Sequence, residues 1–355
     1  MKTIPFAKPY LGREEKRAVC RVIDSGNIGQ GEVVEQFEMA FANYVGSKYA
    51  ISVSSCTSAL FLALKAIGVK EHQNVIVSPL TFTSSASTIR HCGALPVFCD
   101  VDMETMCLDQ SKFEILKIMS KPVAYVDVQL TGNETPWEDI SIPRVIDSAH
   151  LIERGCHKPD QLRCYSFHPT KNMTTGFGGM ISTDDPTIAK WCKLARLHGC
   201  WKREWEKGLA ATTVMWGYDV NFCGWKMNMT NIQAAIGIEQ LKKLDWMNKQ
   251  RLRCVSRYNR LLNQRRIGLH LYPIFVRDRN DFVKYMKENG VDCSVHFEPL
   301  HLMKAYEDVP LRTTPYNAEW IGQHVVSLPL FPTLKDKEID HICKTILKSN
   351  LFISP

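Results

Sequence analysis

Short runs of Val, Ile and other apolar residues recur along the first half of the chain. "YAISVSS" (49–55) is followed by the helical pattern "TSALFLALKAIG" (57–68), and "NVIVSP" (74–79) by "SSASTIRHCG" (84–93). "LPVFCDVD" (95–102), "PVAYVDVQ" (122–129), "PRVID" (143–147) and "RCYSF" (163–167) continue the series. Continuous apolar runs of this length suit strands covered on both faces, and strands that alternate with helices are joined by crossovers. The pattern predicts an α/β domain with a mostly parallel, buried sheet.

Two helical segments, 13–24 and 33–44, precede this domain, after an N-terminal arm. From about residue 230 the texture changes to one long helical pattern over 230–264. Thr230 and Gln233 stand at its start with the spacing of a capping box, in which each side chain satisfies a free backbone N–H. Beyond it, 282–290 reads as helix, "VDCSVHF" (291–297) as strand and 335–349 as helix. The expected division is a large α/β domain over 1–245, including the arm, and a smaller α/β domain over 246–355, joined by the long helix.

With 355 residues the chain can bury a core that needs neither disulfides nor metals. Its 13 cysteines contain no C-x-x-C pair, which argues against a zinc ribbon and for reduced, buried thiols. No metal site is expected. The net charge of +7 is spread along the chain and suits an anionic small molecule better than nucleic acid, since no basic stripe interleaved with aromatics is present. No apolar run is long enough to span a membrane, and the N-terminus "MKTIPFAKPYLG" lacks the apolar core of a signal peptide. A cytoplasmic location is expected.

Open α/β sheets bind ligands at the loops beyond their strand ends, and four features fall there. "SSCTSAL" (54–60) sets Ser55, Thr57 and Ser58 at a helix start, where unpaired N–H groups and hydroxyls can hold a phosphate. Asp147 ends the strand "PRVID" and can pair with a cationic ring nitrogen, and His150 stands three residues on, within reach of a neighbouring ring substituent. Lys171 follows "RCYSF" in "SFHPTKNMTTGFGGM" (166–180), with Ser166 five residues before it and a glycine-rich turn after it; a desolvated, neutral lysine amine can attack an aldehyde. Phe82, in "PLTFTSSAS" (79–87), can stack on a flat ring. Each feature alone also fits capping or packing. Together they describe a pyridoxal 5′-phosphate site.

At this point the sequence resembles the DegT/DnrJ/EryC1/StrS family of sugar aminotransferases, which have fold type I among pyridoxal-phosphate enzymes. The resemblance runs nearly end to end, through 25–64, 93–109, "VIDSAH" (145–150), "SFHPTKNMTTGFGGM" (166–180), "GWKMNMTNIQAAIGIEQLKKLD" (224–245) and "VDCSVHFEPLHL" (291–302). It implies that Lys171 is the Schiff-base lysine and proton shuttle, and that Asp147 is the partner of the pyridine nitrogen. It sets His150 beside the ring hydroxyl, Thr57, Ser58 and Ser166 at the phosphate, and Phe82 over the ring. Asn228 would reach across a homodimer interface to the neighbour's phosphate, and His296 and His301 would lie near a sugar-nucleotide pocket.

The implied reaction moves an amino group from L-glutamate to a nucleotide-linked ketosugar. The "TTG" after the lysine resembles members that act on 4-keto-6-deoxy sugars; a 3-keto sugar, a cyclitol or a non-catalytic regulatory role are the alternatives. Two departures stand out. Phe177 occupies a position where the family often has Glu, and the segments before Asp147, before Lys171 and over 262–280 are compact.

Overall fold

The computed structural model describes residues 3–137, 139, 141–201 and 219–353. Seven strands form the main sheet: β1 (Tyr49–Val53), β2 (Asn74–Val77), β3 (Leu95–Phe98), β4 (Ala124–Val128), β5 (Arg144–Asp147), β6 (Arg163–Ser166) and β7 (Gly179–Thr183). Their order is β1-β7-β6-β5-β4-β2-β3. The neighbours from β6 to β3 pair in parallel, as the alternation of strands and helices predicts. β7 pairs antiparallel with both β1 and β6, so the sheet is mixed.

One inverted strand has a useful consequence. Because β7 opposes both neighbours, β1 runs the same way as β5 and β6. The carboxyl ends of these three strands and the amino end of β7 therefore share one edge. Ser54 and Ser55, Asp147, Ser166 and Gly179 all lie along it. β4 and β7 are buried along their whole length, consistent with a sheet covered on both faces. Helix Cys56–Ala66, apolar over most of its surface, packs on β5, β6 and β7 and is buried from Cys56 to Leu64 except at Thr57.

The capping box at Thr230 and Gln233 is formed: the Gln233 N–H donates to Thr230 Oγ1 (3.3 Å) and the Thr230 N–H to Gln233 Oε1 (3.0 Å). It opens the 32-residue helix Asn231–Leu262. The first half of this helix packs Ala234, Leu241, Leu244 and Met247 against Phe37, Phe41 and Phe167. Its second half packs Cys254, Val255, Tyr258 and Leu262 into another core with the antiparallel pair Tyr272–Phe275 and Val325–Leu328 and with helices Arg279–Glu288 and Asp336–Lys348. We propose the domain boundary at this handover, between Met247 and Cys254. Ile4, from the N-terminal arm, belongs to the second core.

The segment 291–297 is not the strand its alternation predicts. Val291 bridges Ile4 and Ser294 bridges Ser327, two different partners, so no ladder forms. Several elements have no clear signal in the periodicity: helices Gln110–Ser120, Pro186–Ala195 and Tyr316–His324, strand β7 and the small two-stranded pair.

A buried ion pair ties the sheet to its flanking helices. Glu38 and Arg196, 6% and 4% exposed, contact each other directly; Glu38 Oε1 also accepts from the Ser52 N–H (2.9 Å) and hydroxyl (2.8 Å), and Arg196 donates to the Ser52 carbonyl (2.6 Å). Removing one partner leaves the other charge buried and unpaired, which costs about 3–5 kcal/mol. Glu38→Ala is expected to lower the denaturant midpoint by a corresponding amount, whereas the double variant Glu38→Met/Arg196→Met loses less. Equal losses in the single and double variants would contradict this account.

Candidate active site

The candidate site is built along the shared sheet edge. Asp147, the last residue of β5, is 5% exposed. Its Oδ2 accepts from the Ser85 hydroxyl (2.8 Å) and its Oδ1 from the Ala149 N–H (3.1 Å), with the Cys56 thiol at 3.9 Å. Burial raises the carboxyl above the ordinary aspartate range although Ser85, the Ala149 amide and the charge of Lys171 all pull it down. A carboxylate in this setting is matched by a cation.

Lys171 sits beyond β6, with Nζ 3.4 Å from His270 Nε2. Its burial lowers the amine to about 8, against upward pulls from Asp147 and Cys56. His150 is 6% exposed; its Nδ1 accepts from the Thr131 N–H (3.2 Å), which leaves the proton of the neutral ring on Nε2. Burial first, and Lys171 second, push both His150 and His270 well below the ordinary histidine range. His296 is lowered to about 4 by the same two causes.

The phosphate candidates form a hydroxyl cluster. Ser55 caps helix Cys56–Ala66 by accepting from the Ser58 N–H (3.0 Å), and the Ser58 hydroxyl lies 2.9 Å from that of Ser54 and 3.0 Å from that of Ser55. The first-turn amides of this helix have no acceptor within it. Ser166 pairs with Gly179 across β6 and β7. A Cβ on Gly179 would lie 2.4 Å from the carbonyl carbon of Ser55, so only glycine lets the serine turn close against the sheet there. Thr57 is half-buried in the same turn.

Phe82 is 58% exposed, with its ring 6.1 Å from Phe297, which in turn lies 6.3 Å from the His150 ring. His296 stacks on Phe6 of the arm (5.3 Å), and its Nδ1 is 3.0 Å from the Ser327 hydroxyl. Two candidates are not drawn toward the lysine. His301 Nε2 is 3.0 Å from Glu319 Oε1, and its ring lies 6.2 Å from Phe98. Asn228 lines a separate cavity of about 1460 Å³ with Met39, Tyr49 and Lys226.

His270, Arg251, Ser85 and Cys56 escape the sequence reading. His270 lies in a short apolar run, "LHLY", with no spacing that links it to Lys171, whereas the place of Cys56 beside Ser55 is a local signal that points toward the site. Phe177 is 64% exposed. Its backbone carbonyl accepts from the Thr175 hydroxyl (2.6 Å) and from Gln233 Nε2 (2.8 Å), so the loop is pinned through its main chain while the ring lies edge-on to His168.

A family model for DegT/DnrJ/EryC1/StrS aminotransferases matches residues 9–347. The chain belongs to this family. It is 35% identical to the spore coat polysaccharide biosynthesis protein SpsC of Bacillus subtilis (strain 168) over 382 aligned positions, covering 97% of this chain and 96% of SpsC. Helicobacter pylori PseC, an aminotransferase involved in the biosynthesis of pseudoaminic acid, superposes with a TM-score of 0.87 at 25% identity, covering 98% of this chain and 99% of PseC. Spr1654 of Streptococcus pneumoniae, in its PMP form, gives a TM-score of 0.87 at 27% identity, with 96% and 98% of the two chains covered. As a DegT/DnrJ/EryC1/StrS member the chain is a sugar aminotransferase with pyridoxal 5′-phosphate as cofactor. The residues present fit that group: a buried carboxylate for a ring cation, a hydroxyl-lined helix start for a phosphate, and a desolvated amine for an aldehyde.

The lowered amine has a measurable consequence. In cofactor-free protein, the rate at which Lys171 is acetylated by trace acetic anhydride is expected to rise with pH and level off above about 8. The amine is protonated below that midpoint and nucleophilic above it. A midpoint near that of an ordinary lysine, about 10.4, would show that burial does not act on Nζ.

Proposed function

We propose that this sugar aminotransferase moves the amino group of L-glutamate onto a nucleotide-linked ketosugar, most closely a 4-keto-6-deoxyhexose, to make an amino sugar for glycan or polysaccharide biosynthesis. The observation that carries the catalytic part is the buried Asp147 and the half-buried Lys171 placed at one sheet edge, beside the serine turn. The substrate part is supported by the "TTG" that follows Lys171 and by the roles of SpsC in spore coat polysaccharide and of PseC in pseudoaminic acid biosynthesis. The net charge of +7 is compatible with a diphosphate-linked substrate.

Bound pyridoxal phosphate supplies an aldehyde carbon to carry nitrogen and an aromatic ring to take up electrons. The chain supplies the rest. Asp147 would hold the protonated ring nitrogen, with its carboxylate oriented by Ser85 and the Ala149 amide. Thr57, Ser58 and Ser166 would hold the phosphate, and Phe82 would cover the ring. His150, whose Nδ1 accepts from the Thr131 N–H, would offer its Nε2–H to the ring hydroxyl. Lys171 would hold the aldehyde end of the cofactor through Nζ, and its free amine would hold and return a proton at that atom, a role suited to an amine lowered to about 8. His296 faces the same cluster, close enough to Lys171 to feel its charge.

In this proposal the enzyme is a cytoplasmic homodimer, with Asn228 at the contact between copies.

The deciding experiment offers the glutamate-treated protein a panel of nucleotide-4-keto and 3-keto sugars and weighs the products. Yellow protein is expected to bleach with L-glutamate and to recover its colour with a 4-keto-6-deoxy sugar. Recovery only with 3-keto sugars or cyclitols would overturn the substrate assignment. Lys171→Ala is expected to bind cofactor yet turn over at least ~10²-fold more slowly, the scale of a lost general acid–base group; wild-type turnover would remove Lys171 from its role.

A further inference from the structure

His270 stands outside every motif of the sequence, yet its Nε2 lies 3.4 Å from Lys171 Nζ, within hydrogen-bonding reach. It is 6% exposed, and its ring centroid lies 4.4 Å from that of His150. We propose that His270 is a positioning residue for the catalytic lysine: its Nε2 accepts a hydrogen bond from Nζ and fixes where Lys171 holds its transferable proton. This rests on the assignment of Lys171 as the proton carrier.

The tautomer follows from chemistry. A protonated lysine has three N–H donors and no lone pair. Whenever Lys171 carries its charge, the contact with Nε2 exists only if Nε2 is the acceptor, which puts the imidazole proton on Nδ1. Burial and the adjacent amine hold the ring neutral. Asp147 and Cys56 are the other groups that act on the amine, and they approach from β5 and from the helix start at Ser55. His296 and His168 feel its charge from the small domain and from the lysine loop itself.

The main chain around His270 is fixed as firmly as its ring. A Cβ on Gly268 would lie 1.9 Å from the Thr131 carbonyl oxygen, so the chain passes that turn at a distance only glycine permits. The same turn donates the Thr131 N–H to His150, so one contact sets both histidines. On the other side, the Leu269 carbonyl accepts from Asn172 Nδ2 (3.5 Å), and Arg251 Nη2 donates to the Lys171 carbonyl (3.3 Å). The lysine is thus held at its carbonyl by the long helix and at its amine by the lead-in to the second core.

The test uses full-length protein, cofactor-free and reconstituted with pyridoxamine 5′-phosphate, and follows acetylation of Lys171 by trace acetic anhydride against pH. Loss of an acceptor disfavours the charged amine, so His270→Phe is expected to move the midpoint down by roughly half to one pH unit. In parallel, the maximal rate at which L-glutamate bleaches the pyridoxal form is expected to fall about tenfold or more, with half-saturating glutamate unchanged within about twofold. His270→Gln, whose amide carbonyl can take the place of Nε2, is expected to restore both values to near wild type. Should the phenylalanine lower the melting temperature, His270→Met is read in its place for the same outcomes. A wild-type midpoint in the apolar variant overturns the proposal, as does a lost rate without a moved midpoint, because a merely space-filling residue gives that result. If glutamate bleaches none of the proteins, the donor assignment fails while the labelling still decides the role of His270.

Discussion

Burying an amine and a carboxylate at one edge of a sheet is the constraint around which this protein is arranged. Removing either charge from water is costly, and here the two offset each other only in part. Asp147 remains raised by burial, and Lys171 remains lowered, even with their mutual attraction included. The surroundings add fixed dipoles: the Ser85 hydroxyl, the Ala149 amide and imidazoles kept neutral by the same burial. An amine that is easily deprotonated and a carboxylate in want of a cation are two results of one low-polarity setting. That setting is what pyridoxal-phosphate chemistry needs from a protein.

Topology brings these groups together. The inverted β7 places its first residue, Gly179, beside the ends of β1 and β6, and the missing side chain there lets the Ser55 turn close. The loop between Lys171 and Gly179 is then fixed through backbone atoms, including the Phe177 carbonyl that Gln233 holds. The main chain does the structural work there, and the side chain projects outward, so the loop keeps its course without an acid.

The legible parts of this protein are those whose signals are local. Asp147 ends an apolar run, Thr230 and Gln233 carry a capping spacing, and Lys171 sits in a glycine-rich turn after a strand; each is found where its neighbours predict. β7 was hidden because its five residues begin with glycine, and its inverted direction leaves no trace in periodicity. Segment 291–297 alternates like a strand but finds two unrelated partners. His270 is 99 residues from the amine it faces, and no spacing rule spans such a distance. His296 and His301 are neighbours in one motif, yet the chain turns through Pro299 between them and delivers His301 to Glu319 instead.

The helix Asn231–Leu262 deserves to be seen as a mechanical part. At 1.5 Å per residue, its 32 residues make a rod of roughly 48 Å. One end is clamped to the loop that carries the lysine, through Gln233, and the other is embedded in the second core, with Arg251 gripping the Lys171 carbonyl in between. A flexible tether would let the two cores swing freely. A rod embedded in the second core and bonded to the lysine loop at the carbonyls of Phe177 and Lys171 makes that core and that loop one connected piece.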